Sequence, residues 1–311
     1  MAIKTALKSA FAFLILAVAP FLVFKPCAAQ ELTPRALAPA PVKMHILLLG
    51  YSYSYGNYLF DAALPIEGVD TKAHGLVMGY STTRQIFGRG AKLDFVLPLA
   101  TANWTGLVNG QPASATRTGF ADPMLGITVN ILGNRALFGR PFFQSRERFV
   151  LGAGLAVSLP VGQYDETKLV NLSTHRWVVK TTFGGSFKTG KWIFETILGA
   201  WFFTTNNSFF NGNTLDQKPL GAVQLNAIYT FRPGLWAAIS AAKGWGGETV
   251  LNGLEKNNTQ DNGRFGATLA IPLKAPHSGL RLGWTKGVTS RFGANFTTFA
   301  VAYAYVWGGG L

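Results

Sequence analysis

Four histidines are the residues of this sequence best suited to proton transfer or metal binding, and their placement argues against both. His45, His74, His175 and His277 are spread along the chain, and no pair has the short spacing of zinc ligands. A membrane hydrolase needs a serine and a histidine that face each other, but His277 and Ser278 are adjacent in a predicted turn. We therefore predict no enzyme activity, no metal and no cofactor.

A second set of polar side chains interrupts segments in which apolar residues alternate. Lys92 and Asp94, for example, face away from Leu93 and Phe95. On the lipid face of a membrane barrel, Lys or Arg at mid-depth would cost about 2–4 kcal/mol, so such residues point into the lumen or lie near a boundary. The predicted lumen-lining and ligand-contact residues are Lys92, Asp94, Arg176, Lys180, Gln224, Asn226 and Arg281.

Two roles remain open for these side chains. They could set the selectivity of a water-filled pore, or they could pair with one another and plug a barrel of limited width. In the second case, Asp94 and Glu195 would neutralise basic partners.

The elements that must position these residues are β-strands. Every second residue from Phe149 to Leu159 is apolar, and the residues between them are small. A period of two defines a strand, and the small second face suits either a sandwich core or a barrel wall. About twelve such segments occur, at 44–55, 75–86, 90–103, 120–132, 148–160, 175–187, 191–204, 219–231, 235–245, 263–273, 279–287 and 296–307.

The connections favour the barrel because they alternate in length. Tight turns at 188–191, 232–234 and 274–279 alternate with long, polar connections at 56–74, 104–119, 160–175, 204–219 and 244–263. Outer-membrane barrels pair short periplasmic turns with long extracellular loops in this way. We predict an all-β, transmembrane, antiparallel up-and-down barrel over residues 44–311, with a short helix or extra turn in the connection 132–148.

The start of the chain reads as an export signal. Lys4 and Lys8 precede an apolar run, and Cys27-Ala28-Ala29 forms a cleavage site, so residues 1–29 are predicted to be removed. Residues 30–43 carry three prolines and no apolar period, which predicts a flexible periplasmic leader. The remaining chain has no cysteine and no helix-length apolar run, so neither disulfides nor transmembrane helices are expected.

Aromatic residues support a membrane location. Rings with a polar edge prefer the membrane–water boundary and form girdles around outer-membrane barrels. The residues near predicted strand ends that we assign to such girdles are Trp104, Trp177, Trp192, Phe194, Tyr229, Phe231, Tyr305 and Trp307.

Four segments together carry a family resemblance. They are GFADPMLG (119–126), LAVSLPVGQYD (155–165), GGET (246–249) followed by Asn252-Gly253, and the closing FAVAYAYVW (299–307). In this order, the sequence resembles the outer-membrane proteins of the MetA-pathway of phenol degradation, often called transporters. The resemblance implies a barrel of about twelve strands and a role in passing aromatic or other hydrophobic compounds.

The leading hypothesis is a monomeric outer-membrane channel that passes small hydrophobic or aromatic compounds by passive diffusion. The alternative is a structural or surface-interaction barrel without transport. The net charge of +14 falls by three when Lys4, Lys8 and Lys25 are removed, and the basic excess suits lipopolysaccharide phosphates and anionic solutes. Outer-membrane lipid and the barrel-assembly machinery are further expected partners, whereas no nucleic-acid-binding motif is present.

Overall fold

Extended backbone dominates this protein. The computed structural model describes residues 32–59, 66–145, 147–289 and 293–311, so the predicted signal peptide lies outside the described residues. Within these ranges no helix is long and apolar enough to cross a bilayer. The elements are β1 (Met44–Leu59), β2 (Ile66–Ile86), β3 (Arg89–Val108), β4 (Gln111–Phe120), β5 (Met124–Leu132), α1 (Arg140–Gln144), β6 (Phe149–Ser158), β7 (Val178–Thr189), β8 (Trp192–Phe203), β9 (Asn206–Phe209), β10 (Asn213–Gln217), β11 (Leu220–Arg232), β12 (Leu235–Gly246), β13 (Thr249–Leu251), β14 (Leu254–Glu255), β15 (Gln260–Pro272), β16 (Ser278–Thr289) and β17 (Gly293–Gly308).

Twelve of these strands close into an antiparallel barrel. The ring runs β1, β2, β3, β5, β6, β7, β8, β11, β12, β15, β16 and β17, and β17 pairs with β1 from Met44↔Gly308 to Leu59↔Gly293. Closure gives each wall strand a hydrogen-bonded neighbour on both sides. Backbone N–H and C=O groups in a bilayer need such partners, because no water is present there to bond them. The predicted twelve-stranded up-and-down barrel is confirmed.

Successive side chains along a wall strand face the outside and the lumen in turn. In β6, Phe149 and Leu155 are exposed on the outer face, whereas Val150 is buried. In β8 both faces are apolar in sequence, and the structure places Glu195 and Ile197 on the buried face. The small face of β6 is therefore the lumen face.

Two connections predicted as loops are largely strand. β1 and β2 continue their pairing to Tyr58↔Val69, although residues 60–65 of this connection lie outside the described residues. β3 and β4 pair along the whole of 99–108, with a Thr118–Thr101 hydroxyl contact of 3.2 Å between them. These hairpins extend beyond the lipid-facing band, where the outer face of the strands meets water and carries polar residues. Their polar composition had made them look like loops.

Other long connections form a separate small sheet. β14, β13, β10 and β9 pair in that order and lie in the connections that follow β8 and β12. At the opposite end, the long connection between β5 and β6 contains the five-residue helix α1, as predicted.

Aromatic residues near strand ends lie mostly on the outer surface. The exposed members of the predicted girdles are Trp177, Trp192, Phe194, Phe231, Tyr305 and Trp307. The prediction is wrong for Trp104, which is buried and packs with Val69 and Leu172. Because β3 extends to Val108, Trp104 falls at a lumen-facing position inside a strand rather than at its end.

The predicted flexible leader is instead packed inside the barrel. We call residues 32–43 the inserted segment. Leu37 is only 1% exposed, and its methyl groups lie so close to Gly152 and Gly184 that a Cβ on either glycine would approach them to 2.9 and 3.1 Å. The carbonyl of Leu37 accepts a hydrogen bond of 3.0 Å from Asn130 Nδ2, and Arg35 N donates to Glu195 Oε2 at 2.6 Å.

The proline content of the inserted segment explains why the sequence predicts a flexible leader here. Pro34 and Pro41 are among the most deeply buried side chains described. Proline has no backbone N–H, so it can be buried without leaving that donor unsatisfied. The absence of an apolar period reflects an irregular segment that is surrounded on all sides, not an exposed one.

Candidate functional site

A cavity of about 140 Å³ lies inside the barrel beside the inserted segment, and we call it the lumen cavity. Its walls come from strands β3, β5, β6, β7, β8, β11 and β12. Apolar side chains supply much of the lining, among them Leu37, Val96, Met124, Ile197 and Trp201. The cavity is therefore a mainly apolar space within a wall that also carries charge.

The first charged pair at the lumen cavity is on β3. Lys92 Nζ lies 3.4 Å from Asp94 Oδ2, and both side chains are largely buried. Ser81 of β2 also donates a hydrogen bond to Asp94 Oδ1. Lys92 thus balances the charge of Asp94, Ser81 adds a hydrogen bond, and Lys92 and Asp94 both line the cavity.

The second cationic side chain at the cavity is Lys180 of β7. Its Nζ lies 4.9 Å from the centre of the Trp201 ring, on the neighbouring strand position of β8. The quadrupole of the indole ring attracts the ammonium group and holds this positive charge beside the cavity. Lys180 and Trp201 both line the lumen cavity.

A chain of amides links the cavity to the inserted segment. Gln224, which lines the cavity, donates from Nε2 to Asn226 Oδ1 at 2.9 Å. Asn226 Nδ2 donates in turn to Glu195 Oε2 at 3.1 Å, the same oxygen that accepts from Arg35 N. Gln224 and Asn226 therefore face the lumen, and Asn226 helps to hold the inserted segment.

Arg281 lies away from the lumen cavity, in a layer of arginines and tryptophan. Its guanidinium lies 5.2 Å from the centre of the Trp236 ring, and that of Arg35 lies 5.6 Å from the same ring. Arg264 is also buried on the lumen face of β15. These contacts place Arg281 in the packing around the inserted segment rather than at the cavity wall.

Arg176 lies in the connection that follows β6, not in a strand as predicted. It is buried, it donates from Nη2 to Gln217 Oε1, and its guanidinium lies 4.7 Å from the centre of the Phe203 ring. Thr174 and His175 beside it form local turns, so the extended backbone of β7 begins only after Arg176. Arg176 thus packs at the end of the barrel that carries the long connections.

The connection 159–177 folds inward against the ends of strands β2, β3 and β4 that extend beyond the lipid-facing band. Leu172 packs with Val69 and Trp104, and Arg117 Nε donates to Val170 O at 3.0 Å. Tyr164 stacks on His175 at 4.4 Å between ring centres, and burial raises the pKa of the Tyr164 hydroxyl. We call residues 159–177 the inner loop, because it covers part of the lumen.

The sequence-predicted site residues thus divide into groups. Lys92, Asp94, Lys180 and Gln224 meet at the lumen cavity, whereas Asn226 and Arg281 contact the inserted segment or its surroundings. Their role in ligand contact stays a prediction. Sequence reasoning missed Leu37, Met124 and Trp201, although the lumen-side position of Trp201, opposite Lys180 across a tight hairpin, was available from the strand register.

The one serine–histidine pair considered from sequence does not form a catalytic contact. Ser278 Oγ donates to the carbonyl of Ala275 at 2.8 Å, and the His277 ring lies against Tyr305. Within the described ranges, no group of three or more His, Cys, Asp or Glu side chains is arranged to hold a metal ion.

Comparison with known proteins identifies a family and similar solved structures of outer-membrane proteins. The family described as "Putative MetA-pathway of phenol degradation" matches residues 38–305. An outer membrane channel from Pseudomonas putida F1 is similar in structure, with a TM-score of 0.74, 18% identity, and coverage of 89% of this chain and 100% of that chain. The beta domain of the Bordetella autotransporter BrkA is a more remote match, with a TM-score of 0.49, 12% identity, and coverage of 85% and 100%. No curated protein matches significantly.

Proposed function

Because this chain belongs to the family described as putative MetA-pathway of phenol degradation, we propose that it is a passive outer-membrane channel for small aromatic compounds. The fold, a closed twelve-stranded barrel, is that of an outer-membrane channel. The chemistry of the lumen cavity supports the substrate class, with aromatic anions such as benzoate as the preferred solutes.

The size and lining of the lumen cavity carry the proposal. Its volume of about 140 Å³ is close to the ~150 Å³ of an engineered apolar protein cavity that binds benzene. Leu37, Met124, Ile197 and Trp201 provide apolar and aromatic contacts for a ring of that size. One ring with a small substituent therefore fits, whereas a larger solute requires the wall or the inserted segment to move.

The charges at the cavity wall favour an anionic substituent. Lys180 and Lys92 both line the cavity, and Asp94 is already held by Lys92 and Ser81. Deeper basic side chains, Arg264 and Arg281, add positive potential along the lumen. In a narrow pore with low-dielectric walls such charges raise the local concentration of anions.

One observation favours the alternative, a barrel that interacts at the surface without transport. The inserted segment fills part of the lumen, and the inner loop folds over it from the other end. A lumen closed in this way would leave the polar surface of the small sheet and the long hairpins as the functional part. Conductance separates the two functions, because a surface-interaction barrel passes no current.

The test is ionic current through the refolded mature protein in a planar bilayer, titrated with benzoate and with benzyl alcohol. A channel of the proposed kind gives a small, steady current that benzoate blocks at lower concentration than the neutral alcohol. Lys180→Gln removes the charge beside Trp201 and should raise the benzoate concentration needed for half-block by about tenfold, the loss of one partly buried charge contact. Lys191→Gln removes the same charge in an exposed turn and should leave the block unchanged. A silent, folded barrel would instead support the surface-interaction function.

A further inference from the structure

The barrel wall changes character where β5 begins and β6 ends. Below this level β5 pairs with β6 up to Met124↔Ser158. Above it β4 pairs with β3, and among the described strands none pairs with the other edge of β4. The chain leaves β6 at Leu159 and enters the inner loop. We call the contact between residues 119–124 and residues 158–163 the seam.

The seam is held by a few hydrogen bonds instead of a strand ladder. Leu159 N donates to Pro123 O and Gln163 N donates to Phe120 O, each at 2.8 Å. Pro123 has no N–H, so it cannot donate to a ladder at this position. The regular pairing of the wall is therefore interrupted at the proline.

The carboxylate of Asp122 replaces the missing ladder contacts. Oδ1 accepts from Gly162 N at 3.0 Å, and Oδ2 accepts from Thr174 N at 2.8 Å and from Thr174 Oγ1 at 3.0 Å. Asp122 thus ties the seam and the inner loop together through one side chain. The hydrogen bonds of one side chain can break while the neighbouring strands stay paired, whereas the backbone hydrogen bonds of a strand pair break only cooperatively. We call Asp122 the latch of the seam for this reason.

Apolar surface lies on both sides of the seam. On the outside, Phe120 and Leu125 are half-exposed and Val161 is 71% exposed. Above Phe120, its face of β4 becomes polar at Thr118, so the seam sits at the edge of the lipid-facing band. On the inside, Met124 lines the lumen cavity. The seam is consequently a thin wall between membrane lipid and the cavity.

We propose that the seam is a lateral portal through which neutral aromatic molecules pass between the lumen cavity and the lipid at the membrane boundary, with Asp122 as its latch. This proposal rests on the proposed channel function and adds a second route to it. A neutral ring is not attracted electrostatically by the basic side chains of the lumen. Direct passage from the cavity into lipid keeps its apolar surface out of water, which is favourable. Anions, which lipid excludes, would keep to the axial route.

A reversible disulfide across the seam tests the portal. A Cβ at Gly119 would lie 3.3 Å from Gln163 Cβ, near the spacing of disulfide-linked residues, so Gly119→Cys with Gln163→Cys should cross-link. Gly50→Cys with Ala302→Cys is the matched control, because a Cβ at Gly50 would lie 3.6 Å from Ala302 Cβ across the regular β1–β17 pairing. The only native cysteine, at position 27, belongs to the predicted signal peptide.

The readout is the initial rate at which cells with an intact lipopolysaccharide leaflet take up N-phenylnaphthylamine, a neutral aromatic dye. The seam disulfide should slow dye uptake several-fold, and a reductant should restore the wild-type rate. The control disulfide should leave dye uptake unchanged, both before and after reduction. Asp122→Ala, which removes the latch without a cross-link, should speed uptake several-fold.

Two results would overturn the portal. One is equal dye uptake by the oxidised and reduced seam pair, with the cross-link verified by gel mobility. The other is equal slowing by the control pair, which would assign the effect to general stiffening. Benzoate conductance of the wild-type barrel is measured in parallel. If benzoate passes and the seam pair has no effect, the portal alone fails, whereas a wild-type barrel that passes neither solute contradicts the proposed channel itself.

Discussion

Leu37 holds the inserted segment against the barrel wall, so Leu37→Ala tests whether this segment blocks the lumen. Its side chain fills the space left by Gly152 and Gly184, two positions on the lumen faces of β6 and β7. The hydrogen bond from Asn130 goes to the backbone carbonyl of Leu37, so alanine keeps it. The substitution therefore removes the apolar contact and leaves the polar contacts of the segment in place.

The magnitude follows from the burial of this side chain. Leucine-to-alanine changes at fully buried sites cost roughly 2–5 kcal/mol, and a closed sheet cannot collapse onto the gap. With a loss of about 2.7 kcal/mol and ~1.36 kcal/mol per factor of ten, the ratio of displaced to inserted segment rises about a hundredfold. Because the segment is part of the lumen filling, displacement widens the pathway.

Single-channel recording in a planar bilayer measures this change directly. Leu37→Ala should show larger conductance events about a hundredfold more often than the wild type. Leu47→Ala is the control, since Leu47 lies exposed on the outer face of β1 and does not touch the segment. A Leu37→Ala trace that matches the wild type in both conductance and event frequency would refute the reasoning, because the side chain would then not hold a barrier.

Three further predictions concern the lumen and the small sheet. Lys92→Met should lower the anion-to-cation permeability ratio, read from the reversal potential in a salt gradient, because it leaves Asp94 as the unmatched charge at the cavity; an unchanged ratio would remove the pair from the pathway. Trp236→Ala should lower the heat-denaturation midpoint on semi-native gels, at a cost of roughly 3–5 kcal/mol for a buried tryptophan; no shift would contradict its packing role. The Lys218 ammonium is hydrogen-bonded to Glu248 at 2.8 Å and lowers the pKa of the Glu248 carboxyl. The Lys218–Glu248 pair therefore stabilises the fold fully above the ordinary glutamate pKa, and this stability is lost as the pH falls through the lowered pKa of Glu248. Hydrogen exchange in β13, corrected for intrinsic rates, should therefore accelerate on acidification in the wild type but much less in Glu248→Gln, and equal acceleration in both would exclude this pair as the cause.

Alternation and connection length were enough to predict the barrel. In β3 and β11 a period of two separates a consistently apolar face from one that carries the polar residues, and one face must meet lipid. The same argument predicted that Lys92, Asp94, Lys180 and Gln224 face inward, because a charge or amide on the lipid face is costly. The hairpin extensions were missed because their outer faces meet water instead of lipid and carry polar residues such as Thr101 and Thr105, so the apolar alternation of the wall strands stops there.

The sequence by itself determined the twelve wall strands, their order and, where polar residues mark one face, the face that points inward, because these depend on residues close together in the chain. Only the tertiary structure decided what fills the barrel. The inserted segment was predicted to be a flexible leader because its partners, among them Asn130, Gly184 and Glu195, lie far away in sequence. Which of the two apolar faces of β8 points inward was likewise decided only by a tertiary contact, the hydrogen bond between Glu195 and the backbone of Arg35. Lumen contents depend on which side chains from many strands converge, and such convergence exists only once the sheet has closed.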